Sequence, residues 1–199
     1  MNDTSKPAFW NERYSTGRMP WDFGGVPVAL EDFLRRQSPG RVLIPGCGSA
    51  YEVRAFVRAG WFVDAVDFSS EAVQRARALL GEEGADRVRQ GDFYAGSPHG
   101  PFDLVYERTF LCAFPPQRWP AYAAQIRQSL RPGGLLAGFF FHGPEPEPPP
   151  YPLPVGGAGD VLGSGFERIE DTPVEDSLPF FAGRERWQVW RFSPTLMNH

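Results

Sequence analysis

Cysteine is scarce in this chain, with only two residues, Cys47 and Cys112, among 199. Two cysteines exclude a disulfide-rich scaffold and indicate two free thiols in a reducing compartment, so we expect a cytoplasmic protein. Residues 1–20 are polar and lack an apolar core, so no signal peptide is expected. No apolar run approaches the roughly 18 residues that a membrane-spanning helix needs, so we expect no membrane association.

Charge of one sign is never concentrated either. The net charge is −4, and no block of five or six like charges is present, so the chain lacks the electrostatic footprint of a nucleic-acid-binding protein. No internal repeat is visible. Hydrophobic residues make up 42% and charged residues 22%, as in ordinary globular proteins. The length predicts a single domain over residues 1–199.

The most informative stretch is residues 41–67. An apolar run at 42–44 breaks into a turn at Pro45–Gly48, a helical segment follows, and a second apolar run at 61–66 ends in Asp67. A glycine turn of this kind lets a ligand approach bare backbone at a helix N-terminus. An acid at the end of the second strand can accept hydrogen bonds from both hydroxyls of a ribose. The pattern therefore indicates a nucleoside site.

Apolar runs alternate with helical patterns along most of the chain, which predicts an α/β, doubly wound fold with a mostly parallel sheet. The predicted strands are 41–45, 61–66, 86–90, 102–106, 135–141, 166–174 and 186–192. The last two have no clear helix between them, so we expect them to pair as a hairpin and to give seven strands with one antiparallel edge strand. That arrangement departs from a plain dinucleotide-binding fold with six parallel strands.

Five ordered pieces of sequence together resemble a known family. They are FWNERY…W, LIPGCGSAYEV, DLVYERTFLCAFPP, RWPAYAAQIRQSLRPGGLL and RERWQVWRF. The chain resembles class I S-adenosylmethionine-dependent methyltransferases, and more closely the thiopurine S-methyltransferase superfamily. The segment WDFGGVP is similar to the halide and thiol methyltransferase branch. The resemblance implies a Rossmann-like methyltransferase fold, S-adenosylmethionine as cofactor, S-adenosylhomocysteine as product, and no metal.

Two glycines and an acid are predicted to hold the methionine and ribose parts of that cofactor. Gly46 and Gly48 have no Cβ, so the methionine moiety can pack against the loop backbone; the alternative is a tight turn only. Asp67 is predicted to bind the ribose hydroxyls, and the alternatives are a helix cap or a solvated acid. Glu52 either points at the cofactor's amino group or lies on a solvated helix face.

The adenine ring is assigned to the segment after the third predicted strand. The resemblance carries Gly91 and Asp92 over as cofactor contacts, with Asp92 accepting a hydrogen bond from the adenine amino group. Phe93 or Phe68 would stack on the ring. The alternative for Asp92 is an Asx turn after Gly91.

Residues 1–24 are predicted to form a lid over the cofactor. Trp10, Tyr14 and Trp21 match N-terminal aromatics that, in the family, close over the reacting centre. Aromatic faces stabilise a sulfonium cation, and a lid excludes water from an electrophilic methyl group. The alternative is ordinary packing of these rings against the core.

Glu107 and Arg108 are the catalytic candidates. They follow the fourth predicted strand, at the carboxyl end where doubly wound sheets bind ligands. The resemblance implies an active-site arginine at Arg108, whose charge would lower the pKa of a thiol or hold an anionic group. The alternative is a salt bridge from Arg108 to a neighbouring acid. His142 is a further candidate base, although a structural role is the simpler interpretation.

The predicted function is methyl transfer to a small soft nucleophile, a thiol before others. A thiol is already partly ionised at neutral pH, so no strong base is required. Alternatives are an oxygen, nitrogen, halide, selenium or tellurium acceptor, a non-catalytic S-adenosylmethionine sensor, and a nicotinamide dehydrogenase, which lacks support because the full G-x-G-x-x-G is missing. We expect a monomer that takes a small-molecule acceptor and no nucleic acid.

The Pro-rich loop, residues 143–154, is the last feature of note. Its prolines exclude a helix and a central strand. It is interpreted as an extended surface linker, as a ligand for an aromatic groove, or as a wall of the acceptor entrance together with residues 110–116.

Overall fold

The computed structural model describes residues 3–96, 100–145, 147–154 and 156–194. Residues 1–2 of the predicted lid and Pro146 of the Pro-rich loop therefore lie outside the described residues. Contacts between Cα atoms group the chain into two compact units, residues 1–96 and 97–199. The expectation of one domain over the whole chain stays a prediction.

The first unit is built around three parallel strands. Its elements, in chain order, are α1 (Pro7–Ser15), α2 (Val28–Arg36), β1 (Arg41–Pro45), α3 (Tyr51–Arg58), β2 (Phe62–Asp67), α4 (Ser70–Leu80) and β3 (Val88–Gln90). Strand β2 pairs in parallel with both β1 and β3. The apolar run of β1 is buried from Val42 to Pro45, which explains why it reads as a continuous hydrophobic stretch.

The described residues of the second unit form four strands. Its elements are β4 (Phe102–Arg108), α5 (Trp119–Ser129), β5 (Leu130–Phe141), α6 (Ala158–Leu162), β6 (Phe166–Pro173) and β7 (Glu185–Phe192), with single turns of 3-10 helix at Leu111–Ala113 and Pro116–Arg118. Strand β4 pairs in parallel with β5, and β7 pairs antiparallel with both β5 and β6.

The seven strands follow the order β3-β2-β1-β4-β5-β7-β6. The predicted α/β class, with a mostly parallel seven-stranded sheet and antiparallel pairing at one edge, is confirmed. The antiparallel strand is β7, and β6 pairs outside it.

Strand β5 is longer than the sequence predicts. The predicted strand at 135–141 directly follows Pro132-Gly133-Gly134, a pattern typical of a turn, yet the strand begins at Leu130. The register shows why: Phe102 pairs with Leu130, whereas Leu104 pairs with Leu135. The intervening residues bulge out of the ladder, and a positive φ of 77° at Gly133 permits it. The glycine signal therefore marks a bulge inside the strand.

Neither cysteine is paired: Cys47 and Cys112 are both buried and free, and burial raises the pKa of each thiol. Within the described part of the chain, none of the helices combines the length and the apolar character needed to cross a bilayer.

Candidate active site

The turn after β1 has the backbone conformation that its glycines predict. Gly46 and Gly48 have φ values of +59° and +54°, and Ala50, which precedes α3, has +57°. A Cβ on Gly48 would lie 2.7 Å from the Tyr14 hydroxyl oxygen. The left-handed conformation thus favours glycine at position 48, and the Tyr14 side chain would have to shift to admit a Cβ there.

Asp67 ends β2 and is held from both sides by backbone. It is 8% exposed, its Oδ2 accepts the Gly48 N–H at 3.0 Å, and its Oδ1 accepts the Ser69 N–H at 2.9 Å. Burial raises the pKa of this carboxyl to about 6, against the opposing effect of the backbone hydrogen bonds. The Phe68 N–H also hydrogen-bonds this carboxylate. A carboxylate has about four acceptor sites, so part of its acceptor capacity remains for a ligand.

The two alternatives for Asp67 are wrong. The residue is buried and therefore not a solvated acid. It is not the helix cap either, because Ser69 takes that role: the Ser69 hydroxyl accepts the Ala72 N–H at the start of α4. The ribose-binding role of Asp67 stays a prediction.

The three predicted lid aromatics form one cluster. Trp21 packs edge-on against Trp10, with centroids 5.3 Å apart, and against Tyr14 at 6.1 Å. Trp21 also hydrogen-bonds Tyr14, while burial raises the pKa of Tyr14 well above its usual range. Helix α1 therefore places Trp10 and Tyr14 on one face, as their spacing predicts.

Polar contacts of the predicted lid segment were missed by sequence reasoning. The Ser69 hydroxyl donates to the Asn11 side-chain oxygen at 2.7 Å, and the Ser49 hydroxyl donates to Asp22 at 2.8 Å. Ser49 also accepts from Arg75 Nε at 2.9 Å. The sequence could have indicated these contacts only through position, because each polar residue lies close to a predicted site residue. Asp22 follows Trp21, Ser49 follows Gly48, and Ser69 lies two residues after Asp67.

The segment after β3 forms the Asx turn that was the alternative for Asp92. The Asp92 Oδ1 accepts the Tyr94 N–H at 2.8 Å, and the Asp92 side chain is exposed. The preceding Gly91 N–H donates to the Asp67 carbonyl at 2.9 Å, which ties this turn to the end of β2. The adenine contact of Asp92 remains a prediction.

The two rings proposed for adenine differ in burial. Phe93 is 4% exposed and packs edge-on against Tyr94, with centroids 5.5 Å apart. Phe68 is only half-buried. Since a stacking ring needs an accessible face, the difference favours Phe68.

Two further candidates, Glu52 and His142, differ in burial. Glu52 is 8% exposed in the first turn of α3, so the solvated-face alternative is wrong for it. His142 is half-buried, and burial lowers the pKa of its imidazole. No cluster of three or more His, Cys, Asp or Glu side chains suited to a metal ion occurs among residues 3–96, 100–145, 147–154 and 156–194.

In the second unit, Glu107 is the most deeply buried candidate, at 1% exposed. Its Oε1 accepts the N–H groups of Phe110 and Leu111 at 2.7 and 2.8 Å. Its Oε2 has no hydrogen-bond partner among the described residues. Burial raises the pKa of this carboxyl to about 7, and the nearby Glu185 adds to the effect.

The turn that Glu107 caps is strained. Thr109, a β-branched residue, has a φ of +55° directly after Arg108. Left-handed backbone is unfavourable for such a residue, and strain of this kind concentrates at functional sites. The two hydrogen bonds that Glu107 accepts from the Phe110 and Leu111 N–H groups help to hold this turn.

Arg108 lies over the Phe139 ring, with Cζ 4.6 Å from the centroid. Its charge also acts on Glu185, lowering the pKa of that carboxyl against the larger effect of burial. The charge of Arg108 also lowers the pKa of the adjacent Glu107, against the larger effect of burial. Sequence reasoning missed Glu185 as a nearby acid, and the salt bridge that was the alternative for Arg108 stays a prediction. Strand pairing brings Glu185 there, because Phe139 is opposite Trp187 and Phe141 is opposite Glu185.

The Pro-rich loop is fastened to the second unit rather than extended freely. The Tyr151 N–H donates to the Cys112 carbonyl at 2.6 Å, and the Leu153 N–H donates to the Phe141 carbonyl at 3.0 Å. Arg184 donates to the Pro144 carbonyl at 3.0 Å. The loop therefore lies at the carboxyl end of β5.

Solved structures share this fold. One is the Burkholderia thailandensis 1,6-didemethyltoxoflavin-N1-methyltransferase with bound 1,6-didemethyltoxoflavin and S-adenosylhomocysteine, with a TM-score of 0.75 and 19% identity over 94% of this chain and 87% of that chain. Another is the DhpI–SAH complex, with a TM-score of 0.68 and 21% identity over 96% of each chain. The fold is therefore the Rossmann-like fold of S-adenosylmethionine-dependent methyltransferases.

Residues 5–197 match the family model of thiopurine S-methyltransferase (TPMT), and the chain belongs to that family. It is 32% identical to the probable thiol methyltransferase 2 of Arabidopsis thaliana over 66% of this chain and 61% of the relative. It is 30% identical to thiocyanate methyltransferase 1 of Brassica oleracea over 67% of this chain and 62% of the relative. It is 28% identical to a Legionella pneumophila thiopurine S-methyltransferase over 63% of this chain and 66% of the relative. The chain thus matches less than two thirds of the length of these relatives.

Proposed function

We propose that this protein transfers the methyl group of S-adenosylmethionine to a small soft nucleophile, with a thiol as the acceptor class. The observation that carries the proposal is Asp67, a buried carboxylate at the end of β2 held by the N–H groups of Gly48 and Ser69. Family membership supports it, as do the relatives' names, which specify thiol, thiocyanate and thiopurine acceptors. Each of those acceptors contains sulfur.

The first unit fits an adenosyl cofactor. Asp67 would accept from the ribose hydroxyls, the half-buried Phe68 would stack on adenine, and the backbone of Gly46 and Gly48 would pack against the methionine moiety. When bound, S-adenosylmethionine supplies a methyl group on a positively charged sulfur. The rings of Trp10, Tyr14 and Trp21 would stabilise that charge by roughly 0.5–2 kcal/mol each and exclude water.

The second unit supplies the groups for the acceptor. The guanidinium of Arg108, stacked on Phe139, would stabilise a thiolate and so raise its fraction at neutral pH. Glu107 would hold the strained turn in place through its two backbone hydrogen bonds. No strong base is needed, because a thiol with a pKa near 8.5 already ionises to a few per cent at neutral pH.

Three further features belong to this proposal. The acceptor is a small molecule rather than a nucleic acid, in keeping with a net charge of −4 and no basic block. The protein acts as a monomer in the cytoplasm, and the reaction uses no metal.

An acceptor panel tests the proposal. Purified protein is incubated with S-adenosylmethionine and, separately, a small alkyl thiol, thiocyanate, iodide, a catechol and a primary amine, and S-adenosylhomocysteine formation is measured. We expect turnover with the thiol, rising from pH 6 to pH 9 as the thiolate forms. Faster turnover of the catechol or amine would contradict the acceptor class. Tight S-adenosylhomocysteine binding with no turnover of any acceptor would indicate a sensor instead.

A further inference from the structure

A cluster of three polar side chains fastens the lid to the turn after β1. Asp22 directly follows the lid residue Trp21, and its side chain is 12% exposed. Its Oδ1 accepts the Gly24 N–H at 3.0 Å, which fixes the carboxylate in an Asx turn. Its Oδ2 accepts from the Ser49 hydroxyl at 2.8 Å and from Arg75 Nη2 at 3.4 Å.

Ser49 is the centre of this cluster. It directly follows Gly48 and is 7% exposed. Its single hydroxyl proton goes to Asp22, so a lone pair is left to accept from Arg75 Nε at 2.9 Å. Hydrogen bonds to an ionised partner are about twice as strong as neutral ones, and both contacts of Ser49 are of this kind.

Arg75 completes the cluster from α4. Besides Ser49 and Asp22, it hydrogen-bonds the Tyr51 side chain, and that contact, the largest effect on it, raises the pKa of the guanidinium. The cluster therefore joins the lid, the glycine turn and α4. A separate contact, from the Ser69 hydroxyl to Asn11, fastens α1 close to Asp67.

We propose that Asp22, Ser49 and Arg75 form a clamp that positions Trp21 at the cofactor turn and so sets how tightly the adenosyl cofactor is retained. The inference rests on the proposed function, since it takes residues 46–49 as the cofactor turn. The clamp residues are positioning residues, because they act through Trp21. A purely structural brace would affect the melting temperature and leave cofactor affinity unchanged.

The test uses Ser49→Ala, Asp22→Asn and the double variant. Asp22→Asn keeps an oxygen for the Gly24 N–H and removes the charge that Ser49 and Arg75 share. The matched control is Asp32→Asn, which breaks an exposed ion pair with Arg35 in the same unit. Hydrogen exchange of residues 17–24 is measured without cofactor, and affinity for S-adenosylhomocysteine is measured by calorimetry.

We expect each single variant to speed exchange in residues 17–24 and to weaken S-adenosylhomocysteine binding roughly tenfold, while the acceptor KM stays unchanged. The double variant should be little worse than either single variant, because both break one cluster. The control should match wild type in exchange and affinity.

Three results would overturn the clamp. They are unchanged exchange in Ser49→Ala, faster exchange with unchanged cofactor affinity, and strictly additive effects in the double variant. Failure of the proposed function looks different: wild-type protein would then not bind S-adenosylhomocysteine, while the exchange measurement would still decide whether the three residues hold the lid.

Discussion

The buried acids of the two units differ in how their carboxylate oxygens are hydrogen-bonded. In the first unit, both oxygens of Asp67 accept backbone N–H groups, from Gly48 and from Ser69, and Phe68 adds a third backbone hydrogen bond. In the second unit, one oxygen of Glu107 takes two N–H groups, and its Oε2, like the Oε2 of Glu185, has no hydrogen-bond partner in the part of the chain that the structure describes. Backbone hydrogen bonds thus fix the orientation of Asp67 before a ligand binds. In the second unit, buried carboxylate oxygens remain able to accept hydrogen bonds near Arg108, where the methyl acceptor is proposed to bind.

The sharpest way to break this comparison is Arg108→Ala. If the second unit serves the acceptor alone, kcat/KM for a thiol should fall roughly 10- to 100-fold, because a charged partner of the thiolate is lost. Affinity for S-adenosylhomocysteine should not change. Steady-state kinetics and calorimetry check both statements.

The control for that variant is Arg131→Ala, which removes an exposed ion pair with Asp103 in the same unit. A loss of cofactor affinity in Arg108→Ala, or kinetics equal to those of Arg131→Ala, would contradict the division of roles.

The pH dependence of cofactor binding tests the first unit. Only the ionised carboxylate accepts from both ribose hydroxyls, and the pKa of Asp67 in the free protein is about 6. Affinity for S-adenosylhomocysteine should therefore be constant above pH 7 and fall by up to about tenfold per pH unit below pH 6. Calorimetry between pH 5 and pH 8 measures this. A wild-type affinity that stays flat across the range would remove Asp67 from the site.

The pH dependence of the free energy of unfolding reports how much the burial of Glu107 destabilises the fold. Its folded-state pKa, about 7, lies above the ordinary value of 4.5, so the fold loses stability as the pH rises from 4.5 to 7, and the loss is complete above pH 7. Glu107→Gln keeps an oxygen for the two backbone N–H groups. It should raise the free energy of unfolding at pH 8 by at most roughly 3 kcal/mol, with the gain shrinking toward pH 5.

Thermal unfolding at both pH values checks this, and activity decides the role of Glu107. A variant that is stabilised and active would assign Glu107 to holding the turn. A stabilised variant with its activity lost would make the carboxylate part of the chemistry.

The smallest effect concerns the adenine ring. Phe68→Ala should weaken S-adenosylhomocysteine binding by roughly 3- to 10-fold with little change in melting temperature, because the ring is half-buried. Phe93→Ala should instead lower stability by about 3–5 kcal/mol, since its ring is 4% exposed. The opposite pattern would transfer the adenine contact to Phe93.

The sequence predicted the features that local chemistry determines. Gly48 lies in a glycine-rich turn and Asp67 ends an apolar run, so both were predicted as candidate site residues from their sequence neighbours alone. The alternation of apolar runs and helical patterns likewise predicted the strand count and the antiparallel pairing of the last strands. Its largest boundary error, at the start of β5, arose because a glycine pair serves a bulge as well as a turn.

Features that depend on distant pairing escaped prediction. Glu185 reaches the neighbourhood of Arg108 only through the register of β5 and β7. The contact between Asp22 and Ser49 needs the lid folded back on the glycine turn, and nothing local in either segment specifies that. Burial favours Phe68 over Phe93 as the adenine ring, and burial is a property of the packed chain.

The most direct test of the account is a calorimetric titration of S-adenosylhomocysteine into wild-type protein, Asp67→Ala and Asp64→Ala. Asp64 is the matched control, an acid on the same strand that pairs with Arg89. We expect the wild type and Asp64→Ala to bind alike and Asp67→Ala to bind on the order of 100-fold more weakly, since two charged hydrogen bonds are lost. No binding by the wild type, or equal binding by Asp67→Ala, would contradict the account.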